Sequence, residues 1–455
     1  MDFESIFTDK RIGSDNNKPQ PRSGFQRDFD RLIFSSPFRR LQNKTQVFPL
    51  PGRAFVHNRL THSLEAASVG RSLGKMIGEE ISNAHRNQPE VQEFYRYELA
   101  NVIAAACLAH DIGNPAFGHS GEKAISAYFL DHAGLQVEGT QLRSFFSDAE
   151  WRDLTSFEGN ANALRILTHG FRGRFTGGLG LTYTTVASIM KYPCEASAVN
   201  KTFKHRKKYG FFQTEKDIVP QLAAELSLIK ESDAPLCYKR HPFVYIVEAA
   251  DDICYSVVDM EDAHRLGILR TDEIEEAFMN AIKRINAEQG DKTYKYYKAI
   301  GDVSEAIAFL RARIINLIVL ESTRIFLDHK EQIITGNFNQ TLLGFLENET
   351  RALEQIQDIS LKKIYGHETV IQVEIAGFNV MSFLLGMFVP ALLKSQPTDK
   401  EAKVLQLFPY QFTEFRNTIS PYQKVMSALD FISGMTDEYA TEIYRRLKGI
   451  VIPEH

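Results

Sequence analysis

Apolar residues recur at helical spacing along most of the chain from about Asp28 onward, and this periodicity constrains the fold more than any other feature. An amphipathic helix repeats its apolar positions every three to four residues, whereas a half-buried strand alternates with period two. Alternating runs are few, so we expect a mostly α-helical protein. The clearest helical segments lie near residues 60–83, 98–112, 160–169, 181–191, 241–265, 302–328 and 421–448.

Three segments interrupt this pattern. Residues 12–24 are rich in turn-forming residues, which predicts a mobile loop or arm. Residues 170–180, GFRGRFTGGLG, predict a glycine-rich loop. Residues 201–210, KTFKHRKKYG, are strongly basic and contain two aromatic side chains, a composition that suits single-stranded nucleic acid. A solvated loop is nevertheless the interpretation we favour for that basic segment, and single-strand binding is the alternative.

The overall charge gives no sign of a polyanionic partner. Lys and Arg total 53 against 57 Asp and Glu, for a formal net charge of −4. Any binding of phosphate groups therefore has to come from local clusters. A phosphate-binding loop of the G-x-x-x-x-G-K-[ST] type is not found, because GRSLGK at residues 70–75 is one residue short and lies within a predicted helix.

Cysteine usage and the apolar segments favour a cytoplasmic protein. The four cysteines, Cys107, Cys194, Cys237 and Cys254, form no C-x-x-C pair, so we do not expect a zinc ribbon. The first residues are acidic and polar, unlike a signal peptide. Residues 375–393 are apolar enough to suggest a membrane span, but a buried or subunit-interface helix is the interpretation we favour.

A run of helix-forming residues followed by a breaker places two metal-binding residue types side by side. Residues 104–109 form helix readily, and Gly113, Asn114 and Pro115 then end it. His110 and Asp111 thus fall in the last turn, where the negative end of the helix dipole favours a cation. An imidazole nitrogen beside a carboxylate oxygen makes half of a credible metal site.

Two other segments offer further donors. His62 precedes Ala66 by four residues and points inward with the apolar stripe of its helix. Asp251 shares a helix face with Val244 and Val247, and a buried carboxylate there needs a partner or a metal. An inward histidine is also common as a hydrogen-bonded core residue, and spacing alone does not bring three distant segments together.

These residues match the H…HD…D signature, and their surroundings resemble one family within the HD superfamily. RLTHSLE (59–65), LAHDIGNPAFGHSGE (108–122), FEGNAN (157–162) and EAADDICYSVVDMEDA (248–263) are similar to bacterial dGTPases. The resemblance extends in order over nearly the whole chain. It implies an HD-domain helical fold with an additional C-terminal helical region. The implied segments are an N-terminal arm and substrate-binding segment, a phosphohydrolase core and a C-terminal helical region, at residues 1–54, 55–265 and 266–455.

The resemblance also implies a ligand set and a catalytic pair. His62, His110, Asp111 and Asp251 would hold one divalent metal per subunit. Asp251 is preferred to Asp252 because family members place a Tyr four residues later and an Asp four residues after that. His119 and Glu122 would act as the catalytic pair, with Glu122 tuning His119 as general acid or base. Without the resemblance, His119 is better interpreted as capping a loop.

The implied reaction is hydrolysis of a deoxynucleoside triphosphate to the deoxynucleoside and inorganic triphosphate. Arg59, Lys191 and Tyr192 are the candidates for phosphate binding, although a surface ion pair would also explain Arg59. Gln46, Tyr255 and Asp259 match the positions that hold the deoxyribose, and Tyr255 would exclude a 2′-hydroxyl. A turn residue is the alternative for Gln46.

The resemblance extends to cofactors and partners. It favours Mg or Mn for activity, while the mixed nitrogen and oxygen donors also admit Fe, Co, Ni or Zn. Members of the family form hexamers or tetramers and some bind single-stranded DNA, and the apolar residues 375–393 with Phe408, Phe412 and Phe415 suggest a homo-oligomer. Two other functions stay open: a different HD phosphohydrolase, such as a nucleotidase or phosphodiesterase, and a single-strand-binding protein with secondary hydrolase activity.

Overall fold

A computed structural model describes residues 1–14, 21–48, 56–174 and 176–451, and most of them are helical. The expectation of a mostly α-helical protein is therefore confirmed. The helices of the first half are α1 (Gly24–Ile33), α2 (Ser36–Arg40), α3 (Arg59–Ala84), α4 (Pro89–Glu93), α5 (Leu99–Ala109), α6 (Gly118–Asp131), α7 (Asp148–Thr155), α8 (Gly159–Thr168), α9 (Tyr183–Ile189) and α10 (Ile218–Glu225).

The second half continues the helical architecture. Its helices are α11 (Val244–Arg265), α12 (Thr271–Ile285), α13 (Ala287–Tyr297), α14 (Val303–Asp328), α15 (Lys330–Ile334), α16 (Leu342–Thr350), α17 (Glu354–Ile359), α18 (Glu368–Leu393), α19 (Asp399–Gln406), α20 (Pro421–Ser433) and α21 (Asp437–Leu447).

The strands of the described residues form two small antiparallel hairpins. Strand β1 (Gln136–Val137) pairs with β2 (Thr140–Gln141), and Glu138 and Gly139 between them both have positive φ, as a tight hairpin turn requires. Strand β3 (Lys230–Asp233) pairs with β4 (Leu236–Tyr238), with Ser232 opposite Cys237.

Helices α3, α5 and α11 form the centre of the first of two hydrophobic clusters. Helix α5 consists largely of small side chains, and residues 102–109 are all buried. Its neighbour α3 approaches closely because it carries glycines at the contact: a Cβ on Gly70 would lie 2.7 Å from the Cys107 Sγ. This close packing holds the C-terminal end of α5, and so His110, in a fixed position.

The second cluster joins α6 and α7 to α18 and α20. Phe388 on α18 and Phe431 on α20 are buried in it, with ring centroids 5.6 Å apart. A buried ion network ties α8 to this cluster, since Arg165 donates to Asp430 at 2.7 Å and to Glu215 at 2.7 Å. Both clusters draw on residues before and after position 265, and the boundary at 54 and 55 lies outside the described residues. The proposed division into segments stays a prediction.

Two sequence expectations need correction. The helix expected over 421–448 is two helices, because Gly434 ends α20 and the Thr436 hydroxyl accepts from the Tyr439 amide to begin α21. The arm expected at 12–24 is fixed at its start, where Ile12 is buried and donates to the Leu181 carbonyl at 3.0 Å. Residues 15–20 of that arm lie outside the described residues.

One helix among the described residues, α18, has the length and apolar composition of a membrane span. Half of its most apolar window is buried within the protein, where Leu384, Leu385 and Phe388 contribute to the second cluster. This placement agrees with the core-helix interpretation of residues 375–393.

Candidate metal centre

Three helices bring His62, His110 and Asp251 together. His62 lies in the first turn of α3, which Asn58 begins with a capping box, and His110 follows the last residue of α5. Asp251, from α11, has its Oδ1 atom 3.1 Å from the His62 Nε2 and 3.4 Å from the His110 Nε2. These donor atoms lie within 4.8 Å of one another, so a single cation can reach all three.

The imidazole of His110 is oriented as a metal ligand needs. Its Nδ1 donates to the Cys107 carbonyl at 2.6 Å, which leaves the Nε2 lone pair facing the cluster. That Nε2 is buried and has no hydrogen-bond partner among the described residues. Burial lowers the pKa of His110, but Asp111 and Asp251 more than offset this and raise it to about 9. The site thus favours positive charge at this nitrogen, and a divalent cation fits the donor set.

Asp111 lies at the edge of the cluster. Its Oδ1 is 3.6 Å from the His110 Nε2, while its Oδ2 accepts from the Arg59 guanidinium at 2.7 Å. Asn114 fixes the carboxylate further by donating to Oδ1 at 2.5 Å. Burial raises the pKa of Asp111, but Arg59 and the two histidines lower it to about 2. The carboxylate is therefore ionised at neutral pH, as a ligand has to be.

The neighbouring Asp252 does not join the three-donor cluster. It faces the cavity beside the cluster, and burial raises its pKa to about 7 although Lys191 opposes this. Asp251 therefore has the position that the spacing argument assigned to it, and Asp252 does not.

A cavity of about 480 Å³ opens above the cluster, a size suited to a small ligand. Most of the candidate residues line it: Gln46, Arg59, His110, Asp111, His119, Glu122, Lys191, Tyr192, Asp251 and Tyr255. His62 and Asp259 are buried and do not line it.

His119 and Glu122 form a pair at the start of α6. The His119 Nδ1 is 2.9 Å from the Glu122 Oε2, and Glu122 also accepts from the Gly159 amide at 2.7 Å. The side chain of His119 is 72% exposed whereas that of Glu122 is 9% exposed. Burial raises the pKa of Glu122, but the bond with His119 outweighs it and the net shift is downward. A buried, ionised carboxylate therefore orients an accessible imidazole.

One wall of the cavity is basic. The Lys191 ammonium lies 3.5 Å from Glu248 and 3.7 Å from Asp251. Burial lowers the pKa of Lys191, but the neighbouring carboxylates outweigh it and raise the pKa. Lys207 and Lys208 also line the cavity, and Lys208 pairs with Glu158 at 2.9 Å. Residues 201–204 and Lys207 are exposed, which agrees with a solvated loop, whereas His205 and Tyr209 of the same segment are buried.

Tyr255 closes another wall. Its ring stacks on Tyr365 at a centroid distance of 5.8 Å and an interplanar angle of 17°. The Tyr365 hydroxyl donates to the Asp259 Oδ2 at 3.1 Å, so Asp259 supports Tyr255 from behind rather than facing the cavity.

Sequence reasoning missed several residues of the site. Tyr365 and Lys208 are distant in sequence from the metal motif, and no local pattern connects them to it. Asn114 belongs to the HDIGNP motif, where it was interpreted only as a helix breaker. Its side chain instead orients Asp111, a role that an amide three residues after a carboxylate could have suggested.

Comparisons with known proteins place the chain in a family. The HD domain model matches residues 59–150. A deoxyguanosinetriphosphate triphosphohydrolase-like protein of Synechocystis sp. is 37% identical over 461 residues, covering 99% of this chain and 100% of its own length. A protein of the same description from Pseudomonas aeruginosa is 34% identical over 464 residues, covering 99% of each chain.

A third relative carries the enzyme name without the qualifier. The deoxyguanosinetriphosphate triphosphohydrolase of Klebsiella pneumoniae is 32% identical over 491 residues, covering 94% of each chain. Full-length similarity of this kind, together with the HD motif, confirms the resemblance drawn from the sequence. The chain belongs to the bacterial dGTP triphosphohydrolase family of the HD superfamily.

Proposed function

We propose that this protein hydrolyses deoxynucleoside triphosphates to deoxynucleoside and inorganic triphosphate, with a divalent metal held by His62, His110, Asp111 and Asp251. The observation that carries the proposal is the three-donor cluster on the floor of a cavity with a basic wall. The names of the relatives support the same substrate class.

The metal is proposed to be Mg or Mn. Two imidazoles and two carboxylates offer nitrogen and oxygen donors. The buried His110 Nε2 has no hydrogen-bond partner among the described residues, so a bound cation would satisfy it. When bound, such a cation polarises a phosphoryl oxygen and lowers the pKa of water. Arg59 and Asn114 hold Asp111 in place for this role.

The basic wall is proposed to bind the polyphosphate. A nucleoside triphosphate carries about four negative charges, so several cations have to face it. Lys191, Lys207, Lys208 and Arg59 all line the cavity. Arg59 and Lys191 already contact acidic side chains, which keeps both charges oriented toward the cavity before substrate arrives.

His119 is proposed to transfer a proton during bond cleavage. Attack of water at the α-phosphorus breaks the bond between that phosphorus and the 5′ oxygen. The 5′ oxygen of the departing deoxynucleoside then needs a proton. His119 is exposed in the cavity, and Glu122 holds its Nδ1 so that Nε2 faces outward. The buried Glu122 stabilises the protonated imidazole that donates.

Tyr255 is proposed to select the sugar. The Tyr365 ring and Asp259 support its ring from behind, so it does not easily move aside for an added hydroxyl. Gln46 faces the same cavity with a buried Oε1 that has no partner among the described residues, which suits a hydrogen bond to the ligand.

The test is to incubate the protein with each dNTP and with GTP, in Mg²⁺ or Mn²⁺, and to identify the products. We expect intact triphosphate and a deoxynucleoside, and a kcat/KM for GTP at least roughly tenfold below that for dGTP. His110→Ala should lose metal and nearly all turnover while keeping its helical circular dichroism.

Other products would redirect the proposal. Monophosphate with pyrophosphate would assign the chain to a different HD phosphohydrolase activity. Equal kcat/KM for GTP and dGTP would remove Tyr255 from sugar selection. Full metal occupancy in the His110→Ala variant would remove that residue from the ligand set.

A further inference from the structure

A second cluster of metal-binding side chains lies behind the basic wall of the cavity. Among the described residues, His205, Glu231 and Cys237 place one donor atom each within 4.8 Å of one another. Cys194 lies beside this group, because residues 194 and 237 pair in an isolated antiparallel bridge and both thiols are buried. Two thiols, an imidazole and a carboxylate are the donor types of a tetrahedral zinc site.

Three separate pieces of backbone position these donors. Residue 194 pairs with residue 237 of β4 in an isolated antiparallel bridge, which brings the two cysteines side by side. Glu231 lies on β3, paired to β4 in the same hairpin, and His205 lies in a short 3-10 helix of the basic segment. Because the donors come from segments that are distant in sequence, a C-x-x-C pattern does not predict this site.

The distances are close to those of a metal site. Bond lengths of zinc to sulfur, nitrogen and oxygen place tetrahedral donors roughly 3.3 to 3.8 Å apart. The Cys237 Sγ is 3.3 Å from the Glu231 Oε2, and the His205 Nε2 is 2.5 Å from the same oxygen. A cation therefore needs the imidazole and carboxylate to separate by about 1 Å, a movement within the reach of their side-chain torsions.

Three of the four donors are shielded from solvent, and 22% of the Glu231 side chain is exposed. Cys194 and Cys237 are fully buried, and His205 is 7% exposed. The Lys239 ammonium holds the other oxygen of Glu231 at 2.6 Å, so that Oε2 is the oxygen turned toward the cluster. With four protein donors, no position is left for substrate, which distinguishes this cluster from the centre at His62, His110 and Asp251.

We propose that Cys194, His205, Glu231 and Cys237 bind a zinc-class divalent cation that fixes the basic segment to the β3–β4 hairpin. The Cys194 thiol contacts the Lys208 carbonyl at 3.3 Å, so the cluster is joined directly to the part of the segment that lines the cavity. The site stabilises the backbone of Lys207 and Lys208, and this role does not depend on which ligand binds in the cavity.

The test uses the full chain and cobalt as the probe. Purified protein is freed of metal under reducing conditions and titrated with Co²⁺, which gives a near-ultraviolet charge-transfer absorption when a thiolate binds it. We expect the absorption at saturation to correspond to one thiolate-bound cobalt per chain, in addition to any cobalt at the His62 centre, and zinc to displace it. The His62 centre has nitrogen and oxygen donors only and contributes nothing to this signal.

Variants separate the proposal from its alternatives. Cys237→Ser and, independently, His205→Gln should lose or strongly weaken the absorption, whereas Cys254→Ala, which removes a buried thiol elsewhere, should keep it. No charge-transfer absorption in the wild-type chain would overturn the proposal. So would a disulfide between Cys194 and Cys237 in protein purified without reductant that persists when zinc is present.

Discussion

At the scale of single residues, the carboxylate of Glu122 tests the proposed proton chemistry most directly. Glu122→Gln keeps the shape and the oxygen that accepts from the Gly159 amide, but removes the charge that stabilises a protonated His119. We expect kcat to fall by roughly 10²- to 10⁴-fold with little change in KM. Steady-state kinetics on the preferred dNTP measures both.

A substitution that removes a carboxylate charge elsewhere on the same helix provides the control. Asp131→Asn removes an exposed carboxylate at the end of α6 and should leave kcat within a factor of two or so of wild type. If Glu122→Gln also retains near-normal kcat, the pair orients the start of α6 and has no part in proton transfer.

The candidate metal ligands could be named from the sequence because they lie in local motifs with strong backbone signals, but only the family resemblance joined these motifs into one site. His110 follows a helix made of small apolar residues, and the His62 helix starts at a side-chain cap. The cavity walls could not be found this way. Lys208 and Tyr365 reach the site only through tertiary packing, and the pairing of residues 194 and 237 depends on a bridge between remote segments.

At the scale of elements, His57 joins the start of α3 to the end of α11. Its Nε2 is 3.0 Å from Glu65 on α3, and its Nδ1 is 2.8 Å from Asp262 on α11. Burial lowers the pKa of His57, but the two carboxylates outweigh it and raise the pKa to about 10. Charged His57 is therefore a stabilising connection between two of the helices that hold the metal centre.

The pH dependence of stability follows from the direction of this shift. A folded-state pKa above the ordinary value of about 6.5 means that the stabilisation is complete below pH 6.5 and is lost as pH rises toward 10. We expect the apparent Tm of wild type to fall across that window more steeply than that of His57→Gln. Thermal unfolding at several pH values between 6 and 10 measures the difference.

A second histidine serves as the matched comparison. His132→Gln removes an imidazole that contacts the Tyr128 carbonyl and ring on the same helix and, among the described residues, bridges no pair of helices. Its Tm should follow the wild-type dependence on pH. Parallel curves for wild type and His57→Gln would mean that the two carboxylates do not hold a proton on His57 in this window.

Element boundaries were predictable where a strong cap or breaker coincides with the end of an apolar pattern. Helix α14 begins within a residue of the expected position because Asp302 caps it, with its side chain accepting from the Glu305 amide. The break between α20 and α21 was missed because the apolar spacing continues across it. Gly434 and Thr436, which end one helix and begin the next, were the available signal.

At the scale of the whole molecule, internal packing accounts for much of the apolar surface that the sequence left unassigned. Phe408 and Phe412 are buried in the second cluster, together with the inner face of α18. That part of the argument for subunit contacts therefore no longer applies. What α18 leaves uncovered is a stripe of Ile371, Ile375 and Phe378, which are 43%, 57% and 37% exposed.

This stripe is where we predict that copies of the chain meet in a homo-oligomer. Its three residues follow one another at intervals of four and three, so they share one helix face, and a paired copy would remove that face from water. Ile375→Asp places a charge in the middle of the stripe and should lower the molar mass measured by light scattering while helical circular dichroism is kept.

Phe388→Asp lies on the same helix but faces the internal cluster, so it should unfold the chain instead of dissociating it. A wild-type chain that is monomeric and fully active at every concentration would contradict the prediction, and an Ile375→Asp variant with unchanged mass would place the subunit contact on another surface.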